Sequence, residues 1–171
     1  MPLANENTDI AIVAASARHI AATRELIAEY GASLGVDLSY QNFAEELASL
    51  PGAYAPPRGA LLIAEAGVDF VGCIAMRPLS DDICEMKRLY VRPQWRATGL
   101  GRRLALAILD EGRRAGYRAI RLDTLPSMTA ARALYLSLGF RAIPPYYPSP
   151  VAGTAFLEFD LASGVPQNAP R

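Results

Sequence analysis

The chain has 171 residues, 51% of them hydrophobic, and its 17 Lys/Arg are balanced by 17 Asp/Glu. That length suits a single domain with a sizeable core, and zero net charge argues against a nucleic-acid or membrane-surface partner. No apolar run is long enough to span a bilayer, and the polar start MPLANENTDI lacks a signal-peptide pattern, so a cytoplasmic location is expected.

In chain order, residues 1–8 read as a loose start and DIAIVAA (9–15) as a first strand. Ser16 is a candidate N-cap for a helix whose apolar spacing continues to Gly31 or Gly35. SYQNFAEELASLPG predicts a second, short helix capped by Ser39 and stopped at Pro51-Gly52, followed by the loop YAPPRG. ALLIAEA (60–66) and FVGCIAMRP (70–78) read as strands joined by a tight turn at Gly67-Val68-Asp69, and ICEMKRLYVRP (83–93) as the next strand. A helix then runs from about Gly99 to Ala115 and stops at Gly116, a C′ glycine. YRAIRLDTL (117–125) is a strand, and Pro126-Ser127 opens a helix to Leu138 that Gly139 closes. FRAI is a short strand, PPYYPSP a stiff loop and TAFLEFDL (154–161) the last strand. The ordered core is thus expected at about 9–161, with a flexible tail at 162–171. The order β-α-α-β-β-β-α-β-α-β-β predicts an α+β fold. Its sheet is mixed but mostly antiparallel, a central β-α-β crossover brings in one parallel pair, and helices cover both faces.

The stretch RATGLGRRLALAIL (96–109) places two glycines one residue apart directly before a helix. Glycine lets a ligand approach the backbone and permits positive φ. The first helical amides have no partner inside the helix, and with the helix dipole they form an anion site, phosphate above all. From Lys87 to Arg121 the chain carries ten Lys/Arg against two acids, Asp110 and Glu111, and only Lys87 of the ten is a lysine. Arginine forks bind phosphate oxygens in pairs. A Rossmann fingerprint fails because Leu104 stands where the third glycine belongs, and no GK[ST] P-loop is present. Cys73 and Cys84 lie in apolar strands and read as buried reduced thiols. No CxxC or metal-ligand spacing occurs, so no metal is expected, and His19, the single histidine, has no triad context.

Arg96-x-x-Gly99-x-Gly101 between the strand LYVRP and a helix resembles the signature of the GNAT superfamily of N-acetyltransferases, which bind acetyl-CoA. About 30 residues later ARALYLSLGF (131–140) resembles that family's second signature, a tyrosine-bearing helix followed by Gly-Phe. The resemblance spans about residues 9–161. Met128 stands where members often carry Asn, and Thr98 where a basic residue or glycine is common.

The resemblance implies that the pantetheine arm lies along the strand Glu85 to Val91, with main-chain contacts at Leu89 and Val91 beside Tyr90. The pyrophosphate falls on Arg96, Ala97, Thr98, Gly99, Leu100, Gly101 and Arg102, with Met128 and Tyr135 completing the cofactor side. The Leu89 N–H stabilises the oxyanion and Tyr135 protonates the leaving thiolate. Glu85 is the first candidate for the base and Asp123 its rival; a third option is an amine that arrives neutral. Acceptor candidates are Asp37, Tyr40 and Gln41 in the early helices and Tyr146 and Tyr147 in the proline-stiffened loop. Arg77, Lys87 and Arg88 are candidates for holding a substrate anion. The expected reaction is acetyl transfer to a small-molecule primary amine. A protein N-terminus or lysine as acceptor, and a non-catalytic acyl-CoA sensor, are the alternatives. Oligomeric state is open, with homodimers common in the family.

Overall fold

A computed structural model describes residues 9–163. Its strands are β1 (Ile10–Ala14), β2 (Ala60–Ala66), β3 (Asp69–Pro78), β4 (Ile83–Val91), β5 (Ala119–Thr124), β6 (Arg141–Ala142) and β7 (Ala155–Asp160). Its helices are α1 (Ile20–Ser33), α2 (Phe43–Ser49), α3 (Leu100–Arg114) and α4 (Thr129–Leu138). The strands form one mostly antiparallel sheet in the order β1-β2-β3-β4-β5-β7-β6. Only β4 and β5 run parallel, joined by the α3 crossover. The α+β class and the parallel pair therefore stand as the sequence indicates. The expected loose start at 1–8 and the tail from 164 onward lie outside the described residues. Ala162 and Ser163, the described part of that tail, donate their amides to Asp160 Oδ1 at 2.9 and 3.2 Å.

Period-2 alternation sends the central strands' side chains to two helical layers. On one face Leu61, Ile63, Cys73 and Ala75 pack with Leu26 and Ile27 of α1 and with Leu50 and Tyr54. On the other, Leu62, Ile74, Met76 and Met86 meet Leu100, Leu104, Ile108 and Leu109 of α3. Covered on both faces, β2 to β4 are buried almost without a break. Each large apolar side chain so buried contributes about 1.5–3 kcal/mol. Both cysteines are free and buried, and burial pushes their thiols up to about 12. No helix among the described residues is long and apolar enough to cross a membrane.

Two local expectations change. The second predicted helix is a short 3-10 turn at Ser39–Gln41 followed by α2, because Asn42 between them sits in the left-handed region at φ 55°. Asparagine tolerates that conformation, and a continuous helix does not. Ser39 is not the cap: its own N–H donates to Asp37 Oδ1 at 2.8 Å. Likewise α1 is preceded by a 3-10 turn at Ala17–His19, entered by a hydrogen bond from Ser16 N–H to His19 Nδ1 at 2.9 Å.

The feature that creates a site lies at the centre of the sheet. The β4–β5 ladder has only the pairs Ile83↔Ala119, Cys84↔Ile120 and Glu85↔Arg121, and beyond them the strands part. On the other side of β4 the register slips between Cys73↔Tyr90 and Ala75↔Lys87. Two steps on β3 thus oppose three on β4, a bulge whose residue Arg88 has φ 63°. A bulge bends and twists its strand, and here it accompanies the swing of β4 away from β5.

Leu104, fully buried between α3 and the sheet, reports on this packing. Leu104→Ala is expected to cost about 2–5 kcal/mol, measured as a lowered urea midpoint; a loss under about 0.5 kcal/mol, the range of ordinary surface changes, would contradict the two-layer core.

Candidate active site

The glycine bend begins after a 3-10 turn at Pro93–Trp95. Ala97 at φ 61° and Gly99 at φ 83° both adopt left-handed conformations, and Thr98 Oγ1 donates to Trp95 O at 2.6 Å. The first hydrogen bond of α3 runs from Arg103 N to Gly99 O at 3.1 Å. The amides of Thr98, Gly99, Leu100 and Gly101 precede it, ahead of the helix's own ladder. Successive amides in turns of alternating hand make an anion-binding concavity. A Cβ on Gly101 would make only ordinary contacts, with Leu134 Cδ2 at 3.8 Å and Val91 Cγ2 at 4.0 Å, while the space over Gly99 is open. Arg102 Nη1 reaches Ser137 Oγ at 3.1 Å and ties α3 to α4. Arg96 folds back, donating from Nε to Val91 O at 2.9 Å.

Beside the bend a groove of about 400 Å³ lies along β4, between α1 and the start of α4, lined by Tyr30, Leu89, Val91, Arg96, Met128 and Ala131 among others. Arg92 N–H donates to Val71 O at 2.9 Å, toward β3. Backbone groups alternate sides along a strand, so the N–H groups of Val91 and Leu89 face the groove, where β4 has no partner. The deep end of the groove is walled by Leu89, Met128, Tyr135, Tyr30, Lys87 and Asp123. Tyr135 comes from α4 and its ring packs on Phe140 at 5.7 Å. Burial, then the nearby Tyr30 and Asp123, hold its phenol protonated, well above the usual tyrosine range.

On the opposite side lies a second pocket of about 300 Å³, lined by Tyr40, Gln41, Asn42, Arg77, Leu79, Glu85, Lys87, Tyr146 and Tyr147. The buried Glu85 carboxylate is well supplied with donors. Its Oε1 accepts from Arg77 Nε at 2.9 Å and lies 2.8 Å from Arg77 Nη2, while its Oε2 accepts from Tyr146 at 2.6 Å. Asp123 accepts a short hydrogen bond from Tyr147 and a long one, 3.5 Å, from Gln41 Nε2. Burial and the adjoining carboxylates, Glu85 for Tyr146 and Asp123 for Tyr147, push both phenols above their ordinary range, so both remain donors. Lys87 Nζ lies 3.8 Å from Glu85 Oε1 and 3.8 Å from Asp123 Oδ1.

The structure gathers most of the sequence candidates. Leu89, Tyr90, Val91, Arg96 and Met128 line the groove, and Ala97 to Arg102 form the bend. Tyr40, Gln41, Arg77, Lys87, Tyr146 and Tyr147 meet Glu85 and Asp123 around the second pocket. Two candidates are engaged with other partners. Asp37 is exposed and spends its carboxylate on the Ser39 amide. Arg88, turned by the bulge, binds Glu46 through Nε at 2.9 Å and Nη2 at 3.0 Å and reaches Gln41 Oε1 at 2.8 Å. It is a buried brace between β4 and α2 that also lines the deep end of the groove. Glu46, which also accepts from Tyr54 at 2.7 Å, and Tyr30 escape the sequence reading. A buried arginine calls for an acid, but nothing in the spacing selects Glu46 over Glu45. His19 is buried, 2.7 Å from Glu65, and among the described residues no group of three His, Cys, Asp or Glu could hold a metal.

The Arg88–Glu46 brace yields a test. Glu46→Ala leaves a buried guanidinium without its carboxylate and is expected to cost about 3–5 kcal/mol, read by chemical denaturation. A cost near that of an exposed ion pair, under about 1 kcal/mol, would contradict the brace.

Residues 21–140 match the model of the Acetyltransferase (GNAT) family. An uncharacterized N-acetyltransferase of Schizosaccharomyces pombe is 39% identical over 140 residues, covering 80% of this chain and 85% of that one. The fold matches that of an acetyltransferase from Streptococcus agalactiae with a TM-score of 0.74 at 21% identity, over 88% of this chain and 98% of that one. It also matches a Salmonella typhimurium protein solved with its cofactor acetyl-CoA, TM-score 0.65 at 21% identity, over 95% and 100% of the two chains. The parted strands, the amide-lined bend and the family match over well over half of the sequence lead to one conclusion: this chain belongs to the GNAT family and is an acetyl-CoA-dependent N-acetyltransferase.

Proposed function

We propose that the chain acetylates a small primary amine by direct transfer, the amine entering from the pocket bounded by Tyr40, Tyr146 and Tyr147. The size of that pocket carries the reading. At about 300 Å³ it suits a small molecule, and hydrogen bonds from Tyr146 and Tyr147 to Glu85 and Asp123 fix its loop wall in place. It meets the cofactor groove where Lys87 and Gln41 line both spaces.

Acetyl-CoA, when bound, supplies an activated acyl carbon and a thiol leaving group. The residues present suit it. The amides of Thr98 to Gly101 precede the first hydrogen bond of α3, and a Cβ on Gly99 would meet nothing within 4 Å, which suits a diphosphate, and Leu89 and Val91 offer main-chain donors along the bare edge of β4. The Leu89 N–H stabilises charge on the carbonyl oxygen. Tyr135, kept protonated by burial, donates to the sulfur as it leaves. A panel of small amines and peptides with acetyl-CoA, read by thiol release, is the direct test. Release with small amines is expected; release with peptides alone would overturn the small-molecule reading.

Gly101→Val should leave a folded protein, since the added Cβ meets only ordinary contacts, yet abolish acetyl-CoA binding in calorimetric titration. Unchanged affinity in the folded variant would remove the phosphate cradle from the account. Tyr135→Phe keeps the ring and its packing and deletes only the hydroxyl. Its kcat should fall about 10²-fold with acetyl-CoA affinity nearly intact, and a donor with a more acidic thiol should recover part of the loss. Turnover within about twofold of the parent, far short of a general acid's effect, would make Tyr135 a packing residue.

A further inference from the structure

The 17 basic side chains of this protein include one lysine, Lys87; every other is arginine. An arginine does not give up its proton in a protein. Lys87 is therefore the one basic side chain of the sequence able to become a neutral amine, apart from the single histidine. It is not a surface charge. Its side chain is 5% exposed, on β4 opposite Ala75, one residue before the bulge at Arg88.

Its position is where an acceptor must pass. Lys87 lines the deep end of the cofactor groove together with Leu89 and Tyr135, and it lines the acceptor pocket together with Tyr146 and Tyr147. The groups around it are already engaged. Glu85 is held by Arg77 and Tyr146, and Asp123 by Tyr147 and Gln41. Lys87 Nζ stands 3.8 Å from each carboxylate, too far for a hydrogen bond. Burial pushes it below the usual lysine range; Glu85 and Asp123 oppose that shift, and Arg88 and Arg77 reinforce it. Tyr40, Tyr146 and Tyr147 complete the charged and titratable groups facing the pocket.

We propose that Lys87, rather than Glu85 or Asp123, is the catalytic residue that takes the proton from the acceptor amine. The inference rests on the reading that an amine is acetylated here. The substrate ammonium gives one proton to Nζ, and its freed lone pair attacks the thioester carbonyl. As the N–C bond forms, the C–S bond breaks. The second proton that nitrogen sheds on becoming an amide balances the one taken up by the sulfur through Tyr135. Lys87 then returns its proton to solvent through the pocket, so each turnover releases one proton. Below its own pKa Lys87 is already protonated and cannot accept, so kcat should fall as pH drops.

Because the chain has one lysine, the full-length protein labelled with ¹³Cε-lysine gives a single side-chain signal whose titration is read directly. Its midpoint is expected well below the ordinary value of about 10.4. With an alkyl amine as acceptor, Lys87→Arg should lower kcat about 10²-fold and erase the acid limb of the kcat profile. A weakly basic aromatic amine, neutral across the range, should lose far less. Lys87→Met, which removes the charge as well, should show the same contrast between the two amines, and acetyl-CoA affinity should hold in both variants. An ordinary lysine midpoint, a Lys87→Arg variant that keeps the acid limb, or equal losses for both amines each overturn the proposal. So does a Glu85→Gln variant that loses the limb while Lys87→Arg retains it. If the unsubstituted protein acetylates no amine at all, the acceptor reading itself has failed.

Discussion

The site depends on the parting of two parallel strands. β4 and β5 pair through Glu85↔Arg121 and then separate, exposing backbone donors that a continuous sheet would have consumed. The separation comes with an extra residue in β4, and that residue is Arg88 in a left-handed conformation. A non-glycine residue held there costs of order 1–3 kcal/mol and persists only where its surroundings impose it. Here the Arg88 guanidinium is clamped by Glu46 and Gln41 and lies over the Phe43 ring at 5.0 Å. One buried ion pair thus links the short α2 segment to the shape of the cofactor groove. The same Gln41 lines the acceptor pocket, so the brace and the substrate wall share a side chain.

Charge is divided between the two halves of the site. In the proposed reading, backbone dipoles and nearby arginines at the start of α3 are the groups that would meet the cofactor diphosphate. At the acceptor end, Arg77 and Lys87 face Glu85 and Asp123 at close range. Glu85, Lys87 and Asp123 are nearly removed from water while the Arg77 side chain is 39% exposed, and the tyrosines of the 144–150 loop complete the hydrogen bonding of the two carboxylates.

Much of this was legible in the sequence, for identifiable reasons. The strand order followed from alternation and from glycines at turns. The bend followed from Gly99 and Gly101 before an amphipathic helix, and the tyrosine helix from its spacing and closing Gly139. What was not legible was long-range. Asn42 splits a segment that reads as one helix, because left-handed backbone at a single asparagine leaves no periodic trace. Asp37 looked like a pocket residue and is a turn cap. Arg88 looked like an anion holder, yet the bulge turns it onto Glu46, 42 residues away in sequence. The commitment of both Glu85 oxygens to Arg77 and Tyr146 likewise appears only when β3 and the 144–150 loop are brought beside β4.

The central claim is that the cofactor occupies the fork between β4 and β5 with its diphosphate on the bend. Amide hydrogen exchange with and without acetyl-CoA tests it most directly. The account requires added protection at Leu89 and Val91 and at Thr98 to Gly101, amides that have no strand or helix partner in the free fold. Unchanged exchange at those positions under saturating acetyl-CoA, with protection arising elsewhere, would contradict it.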